Sequence, residues 1–180
     1  GIDMCLAGLQ KAFGLPAGLA VASVSERLLA RAREVEPRSY YFNLPLMYKY
    51  HQQSQTPVTP AIPQMFALKK QLEDIVEGEG IEKRFKRHQE MAAVVQEWAL
   101  KHFDIYPEEG YWSPTITCIL NTRDISVGDL NRELVNKYAC RIASGYGKLK
   151  EKCFRIAHMG DLNLIDIKGL LAAIEDILGL

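Results

Sequence analysis

Two short apolar runs, separated by a loop rich in glycine and proline, are the strongest constraint on the fold of this 180-residue chain. Residues 2–8 and 19–24 form these runs, and a helical pattern begins at Ser25, directly after the second one. Apart from Asp3 and Ser23, both runs are apolar, and neither alternates regularly with polar residues. This pattern is typical of strands that are covered on both faces, as in α/β sheets.

The rest of the chain alternates between helical and strand-like patterns, which predicts an α/β or α+β fold. Residues 37–63 are rich in tyrosine and end in three spaced prolines, so we expect an ordered loop that is anchored by its aromatic side chains and contains no helix. Ser126 and Asp129 form a capping pattern that begins a helix. The other predicted elements are helices over 65–76, 81–99, 127–138 and 162–178, strands over 115–120 and 154–157, and a short strand closing at 142.

Charge and cysteine content exclude several classes of protein. The chain has 22 basic and 22 acidic residues, and this balance argues against nucleic acid or an anionic membrane as a partner. The uncharged stretch over 12–25 is broken by glycine and proline, so it does not predict a transmembrane helix. The four cysteines contain no C-x-x-C pair, so we expect no structural zinc, no other metal site and no disulfide framework, as in a reducing cytoplasm.

Two basic residues are candidates for chemistry, and each has a plain structural alternative. Lys11 follows an apolar strand, where a desolvated amine can form a Schiff base, but a lysine is far more often a solvated surface group. Arg155 lies in an apolar strand, where its planar guanidinium would suit a carboxylate. The alternation of the strand equally predicts that Arg155 lies on the wet face.

The histidines do not have the spacing of a metal site or of a nucleophile triad. His88 belongs to the basic run 83–88, which we expect to be a solvated helix face because acidic residues flank it. His158 follows the strand of Arg155 and could line a pocket there, but packing or capping is the expected role.

Four segments, in order, resemble segments of class V aminotransferases. AGLQKAFGLPAGLAVASVSERLL is similar to the cofactor-lysine segment with its G-S-Q-K-A motif, and SYYFNLPLMYKY is similar to the aromatic segment after the cofactor strand. QTPVTPAIPQMFALKKQLEDIVEGEGIEKRFKRH resembles the T-P-A-T-P-A-I segment with its two helices, and SGYGKLKEKCFRIAHMG resembles the glycine-rich turn before the R-I-G/A-H-M-G strand. The resemblance covers nearly the whole chain and is closest to the serine–pyruvate and alanine–glyoxylate subgroup.

The resemblance implies the C-terminal part of the aspartate-aminotransferase-like fold that binds pyridoxal phosphate. Residues 1–77 would be the last strands of the large cofactor domain, and residues 78–180 a small α+β domain. Lys11 matches the lysine that binds pyridoxal phosphate as a Schiff base, and Gln10 matches its neighbour beside the cofactor phosphate. Thr59 matches a threonine that reaches a cofactor phosphate across a homodimer interface. Arg155 matches the arginine that binds the substrate α-carboxylate.

The implied function is transfer of an amino group from a small amino acid, serine or alanine, to pyruvate or glyoxylate. The alternatives are another pyridoxal enzyme, such as a phosphoserine aminotransferase or a lyase, or a non-catalytic domain for folding and dimerisation. A cysteine desulfurase is disfavoured, because no cysteine lies on an evident mobile loop. Two positions depart from the family pattern: Leu9 replaces a small hydroxyl residue, and Thr56 stands where some relatives have tyrosine.

The position of the lysine has a further implication. In the family it lies near the middle of the chain, whereas here it is residue 11. The resemblance therefore implies a fragment without the acidic partner of the pyridine nitrogen, the aromatic that stacks on the ring and most phosphate donors. We expect such a fragment to be inactive by itself, and the pair of donor and acceptor stays open.

Overall fold

The computed structural model describes residues 1–180, which divide into two compact units, residues 1–73 and residues 74–180. The sequence places a domain boundary at 77/78, and the assignment of the first part to a larger cofactor domain stays a prediction. None of the helices combines the length and the apolar character needed to cross a membrane.

The first unit begins with a hairpin. Its two strands pair antiparallel, with Met4 opposite Val24 and Gly8 opposite Ala20. The side chain of Ser25 accepts a hydrogen bond from the backbone of Leu28 and so caps the first helix, as the sequence predicts. The elements of this unit are β1 (Met4–Gly8), β2 (Ala20–Val24), α1 (Glu26–Glu34), α2 (Leu44–His51) and α3 (Ile62–Glu73).

Most residues of the hairpin are exposed, which differs from the expected cover on both faces. Leu9 and Leu29 are the buried hydrophobic residues of this unit, whereas Ile2, Leu6 and Phe66 are largely exposed. An apolar run indicates that a strand is stable only when other elements pack on it. In residues 1–180 no element packs on most of this hairpin, so its apolar side chains stay exposed.

Helix α2 corrects the prediction that residues 37–63 contain no helix. Asn43 caps the helix, because its side-chain oxygen accepts a hydrogen bond of 3.0 Å from the backbone of Leu46. Pro45 lies in the first turn, where a helix makes no use of the backbone N–H that proline lacks. The three prolines that argue against a helix all lie after its end.

The second unit is a four-stranded antiparallel sheet packed on three helices. The strands lie in the spatial order β3 (Asp104–Ile105), β4 (Ile116–Leu120), β6 (Cys153–Ala157) and β5 (Ala143–Ser144). Its core joins Ile119 and Phe154 of the sheet to Met91, Leu134 and Ile174 of the helices. A π-helical turn over Asp74–Glu79 precedes the first of these helices. The elements are α4 (Ile81–His102), β3 (Asp104–Ile105), β4 (Ile116–Leu120), α5 (Val127–Tyr138), β5 (Ala143–Ser144), β6 (Cys153–Ala157) and α6 (Leu164–Leu178).

The register of β4 and β6 decides which side chains share a face of this sheet. Cys118 lies opposite Arg155, and Ile119 lies opposite Phe154. Because successive side chains of a strand point to opposite faces, Ile119 and Phe154 enter the core, whereas Cys118, Cys153 and Arg155 lie together on the other face.

Candidate functional site

Lys11 lies in the turn that follows β1, and backbone hydrogen bonds hold this turn closed. The carbonyl of Lys11 accepts a bond of 2.9 Å from Gly14, and the N–H of Leu9 donates one of 3.2 Å to Leu19. The side chains of Gln10 and Lys11 are both exposed. The turn is therefore ordered by its backbone, and the side chain of Lys11 is exposed to solvent.

Leu9 explains the departure from the family motif at this position. Its side chain is 0% exposed, so it anchors the turn by packing. Gly8, just before it, leaves space for Gln10, since a Cβ there would lie 2.8 Å from Gln10 Oε1. The position before the glutamine thus contributes packing in this chain, and Gln10 and Lys11 carry the polar groups.

Thr59 is exposed in the segment between α2 and α3. The hydroxyl of Tyr40 donates a hydrogen bond of 3.0 Å to the carbonyl of Pro57, which confirms that an aromatic side chain anchors this segment. Thr56 donates a bond of 2.6 Å to the carbonyl of Val58, so its hydroxyl stabilises the local turn. The roles of Thr59, Gln10 and Lys11 toward a cofactor stay predictions.

Arg155 of the second unit is a half-buried guanidinium without a carboxylate partner. Its Nη2 donates a hydrogen bond of 3.0 Å to the carbonyl of Ser144, and its buried Nε has no hydrogen-bond partner. The guanidinium carbon Cζ lies over the ring of Tyr146, 4.2 Å from the ring centroid. Since a buried charge is normally paired, this arrangement suits an anion such as a carboxylate.

The arginines at the start of α4 provide the contrast, because both of them are paired. Arg84 lies 3.0 Å from Glu79 and 3.0 Å from Asp161, and Arg87 lies 2.7 Å from Glu79. Arg87 also donates hydrogen bonds to the carbonyls of Gly160 and Leu162. This network joins helix α4 to the segment that follows β6, the strand of Arg155.

The predicted solvated face over residues 83–88 is wrong at two positions. Arg84 and His88 are each only 6% exposed. His88 Nε2 accepts a hydrogen bond of 3.1 Å from Gly160 N, and His88 Nδ1 donates one of 2.7 Å to the carbonyl of Arg84. Helical spacing would have predicted this burial, because it places Arg84 and His88 on the same face of the helix as the core residues Met91 and Val95.

The pKa values of Glu79 and His158 are both lowered, for different reasons. The hydrogen bonds from Arg87 above all, supported by Arg84, lower the pKa of Glu79 to about 2, so this carboxylate is ionised at neutral pH. Burial lowers the pKa of His158, which is 0% exposed and hydrogen-bonded to Thr117 and to the carbonyl of Pro114. The prediction of a packing role for His158 is therefore confirmed.

Cys118, opposite Arg155 in the sheet, does not provide a nucleophile. Burial and the neighbouring Cys153 raise the pKa of the Cys118 thiol to about 11, and Arg155 offsets only part of this shift. Cys118 is therefore protonated at neutral pH, and a thiol is a much weaker nucleophile than a thiolate.

Comparison with known proteins finds aminotransferases that are similar to this chain over nearly its whole length. No family model matches the chain. An uncharacterized aminotransferase of Methanocaldococcus jannaschii is 34% identical over 97% of the chain and 46% of its own length. A serine–glyoxylate aminotransferase of Hyphomicrobium methylovorum is 32% identical over 97% of the chain and 44% of its own length. The chain thus spans about half the length of the curated relatives it matches.

A solved structure supports the same relationship at the level of the fold. An alanine–glyoxylate aminotransferase of Nostoc sp. superposes with a TM-score of 0.89 at 23% identity, over 99% of this chain and 48% of that one. The predicted resemblance to the C-terminal half of these aminotransferases is therefore confirmed, and so is the predicted fold class.

Proposed function

We propose that this chain, which is related in sequence and fold to the C-terminal half of serine–glyoxylate and alanine–glyoxylate aminotransferases, serves the same type of reaction. The donor would be a small amino acid such as serine or alanine, and the acceptor glyoxylate or pyruvate. The proposal assigns Lys11 and Arg155 to one reaction, with Lys11 in the first unit and Arg155 in the second.

Pyridoxal phosphate is the cofactor that this proposal requires, and the residues of the Lys11 turn fit it. Lys11 would hold the cofactor covalently through Nζ, and Gln10 would lie beside the phosphate. Both side chains are exposed on a turn that its own backbone and the buried Leu9 hold in place. When bound, the cofactor supplies the electron sink that makes the substrate Cα–H bond acidic.

The residues of this chain would bind the substrate and move its proton. Arg155 would bind the α-carboxylate and thereby fix the direction of the Cα–H bond. Lys11 Nζ would take the proton from Cα and return it, as a general base and then a general acid. To bind substrate and to move its proton, the side chains of Arg155 and Lys11 must not already be paired with a carboxylate of the protein. Neither side chain has an ion-pair partner in this chain.

The single observation that carries the proposal is the environment of Arg155. A half-buried guanidinium with a partnerless Nε is costly for a protein unless an anion completes it. The other partly buried arginines of the same unit, Arg84 and Arg87, both have carboxylate partners.

A homodimer and a cytoplasmic location belong to the proposal as well. Thr59 would reach the cofactor phosphate of the second subunit, which its exposed position after the Pro57 turn allows. All four cysteines are free thiols, as is usual in a reducing compartment.

The test uses the full-length protein supplied with pyridoxal phosphate. We expect an absorbance band at about 410–430 nm, and borohydride reduction should leave the cofactor on the peptide that contains Lys11. Lys11→Ala should abolish both signals and the transfer of the amino group, whereas Lys69→Ala, at an exposed lysine of the same unit, should preserve them. Attachment to a different peptide would contradict the proposal. A panel of amino donors separates serine and alanine from phosphoserine.

A further inference from the structure

We propose that Tyr146 is a positioning residue for substrate binding: its ring stacks on Arg155 and aims the guanidinium at the substrate carboxylate. This inference rests on the proposed function and names a residue that the sequence does not single out. The ring centroid lies 4.2 Å from Arg155 Cζ, which is well within cation–π distance.

The stacking restricts where an acceptor can approach the guanidinium. The ring of Tyr146 excludes an acceptor from the side of the guanidinium that lies over it, and the N–H groups donate within the guanidinium plane. The carbonyl of Ser144 takes one of the donors on Nη2, at 3.0 Å. A planar carboxylate fits the remaining in-plane donors, because two parallel N–H···O bonds match its two oxygens.

The loop that carries Tyr146 is built to keep this position. The N–H of Gly145 donates a hydrogen bond of 2.8 Å to the carbonyl of Cys153, and the N–H of Leu149 donates one of 3.0 Å to the carbonyl of Tyr146. A Cβ at Gly145 would lie only 2.1 Å from the carbonyl oxygen of Leu149, so this tight loop excludes any other residue there. The backbone at Tyr146 is therefore held in place, which limits the positions that its ring can take.

Tyr146 is not part of the packing of the core. Its side chain is 78% exposed and lies outside the hydrophobic core of this unit. Most of the ring surface is exposed to water, but the ring contacts a guanidinium that has no carboxylate partner. We therefore assign the ring the role of orienting that guanidinium.

The experiment compares Tyr146→Ala, which removes the ring, with Tyr146→Phe, which keeps the ring and removes the hydroxyl. In the full-length protein loaded with pyridoxal phosphate, Tyr146→Ala should raise KM for the amino donor about 3- to 30-fold, with kcat within about twofold of the unmodified protein. Tyr146→Phe should leave KM within about twofold. A KM that is unchanged in Tyr146→Ala, or raised equally in Tyr146→Phe, would overturn the inference.

A second measurement does not depend on activity. In protein labelled with ¹⁵N-arginine, the Nε–H resonance of Arg155 should shift in Tyr146→Ala, because the ring current of the stacked aromatic is lost, and it should stay in place in Tyr146→Phe. The same resonance position in all three proteins would show that the ring does not stack, and would overturn the inference.

Arg155→Lys separates this inference from the proposed function. If Arg155→Lys raises KM and Tyr146→Ala does not, Arg155 binds the carboxylate without help from Tyr146, and only the inference fails. If Arg155→Lys leaves KM unchanged, Arg155 does not bind the substrate carboxylate. The proposed function then loses this assignment, and the inference about Tyr146 fails with it.

Discussion

His88 on helix α4 accepts a hydrogen bond of 3.1 Å from the backbone N–H of Gly160, in the segment that follows strand β6. The other ring nitrogen donates a bond of 2.7 Å to the carbonyl of Arg84, so the neutral ring carries its proton on Nδ1. A buried imidazole thus fixes the chain three residues beyond the end of the strand that carries Arg155.

We expect His88→Ala to lower the free energy of unfolding by about 2–4 kcal/mol, since it leaves a buried N–H without an acceptor and opens a cavity. Urea denaturation measures this change. His88→Phe restores most of the volume without the acceptor and should recover only part of the loss. Lys86→Ala, at an exposed position of the same helix, is the control. Equal stability of His88→Ala and the unmodified protein would show that the hydrogen bond contributes nothing.

The pairing of Glu79 with Arg87 and Arg84 predicts a loss of stability in acid. The pKa of Glu79 is about 2 in the folded protein and has its ordinary value of 4.5 in the unfolded chain. Because the folded value is the lower one, the stabilisation is complete above about pH 4.5 and disappears as the pH falls toward 2.

Glu79→Gln should therefore lower the free energy of unfolding by about 1–2 kcal/mol at pH 7, a modest figure because water reaches part of this carboxylate. At pH 2 the variant and the unmodified protein should differ little. Glu97→Gln, at an exposed position of α4, should show no such dependence. Denaturation curves at several pH values test this, and a difference of constant size down to pH 2 would rule out the ion pair as its cause.

Arg155→Ala should raise KM for the amino donor in the full-length protein loaded with pyridoxal phosphate. The expected loss is about 2–5 kcal/mol of binding free energy, because the carboxylate would lose its charged partner in a half-buried place. Steady-state kinetics measure the change, with Arg141→Ala as a control at an exposed arginine of the same unit. An unchanged KM would remove Arg155 from the substrate site.

Gly145→Ala should disturb the loop over Arg155, because the new Cβ cannot lie 2.1 Å from the carbonyl oxygen of Leu149. We expect a loss of about 1–3 kcal/mol in stability and a shifted Arg155 Nε–H resonance. Gly147→Asn is the matched control, since Gly147 has a positive φ of 50° that asparagine tolerates and open space around it. If both variants behave like the unmodified protein, the loop adapts and does not fix the ring.

The sequence alone determined most of the local structure and the family resemblance. Helical periodicity predicted α4, α5 and α6, and runs of apolar or β-branched residues predicted β1, β2, β4 and β6. Helix α2 was missed because three later prolines dominated the segment, although Asn43 and Pro45 begin the helix by ordinary rules. These signals act between residues a few positions apart, which is why the sequence reveals them.

Only the tertiary structure decided which charged groups are buried and what they meet. The residues near His88 in the sequence do not indicate its hydrogen-bond partner Gly160, which lies 72 residues away. The charged residues around Arg84 are equally compatible with an exposed and with a buried helix face, so its burial and its pairing with Asp161 cannot be predicted from them. Likewise, the loop geometry brings Tyr146 over Arg155, and no spacing rule predicts that contact. Chain folding pairs groups that are distant in sequence, so burial and partner choice follow from the packing of whole elements and not from local composition.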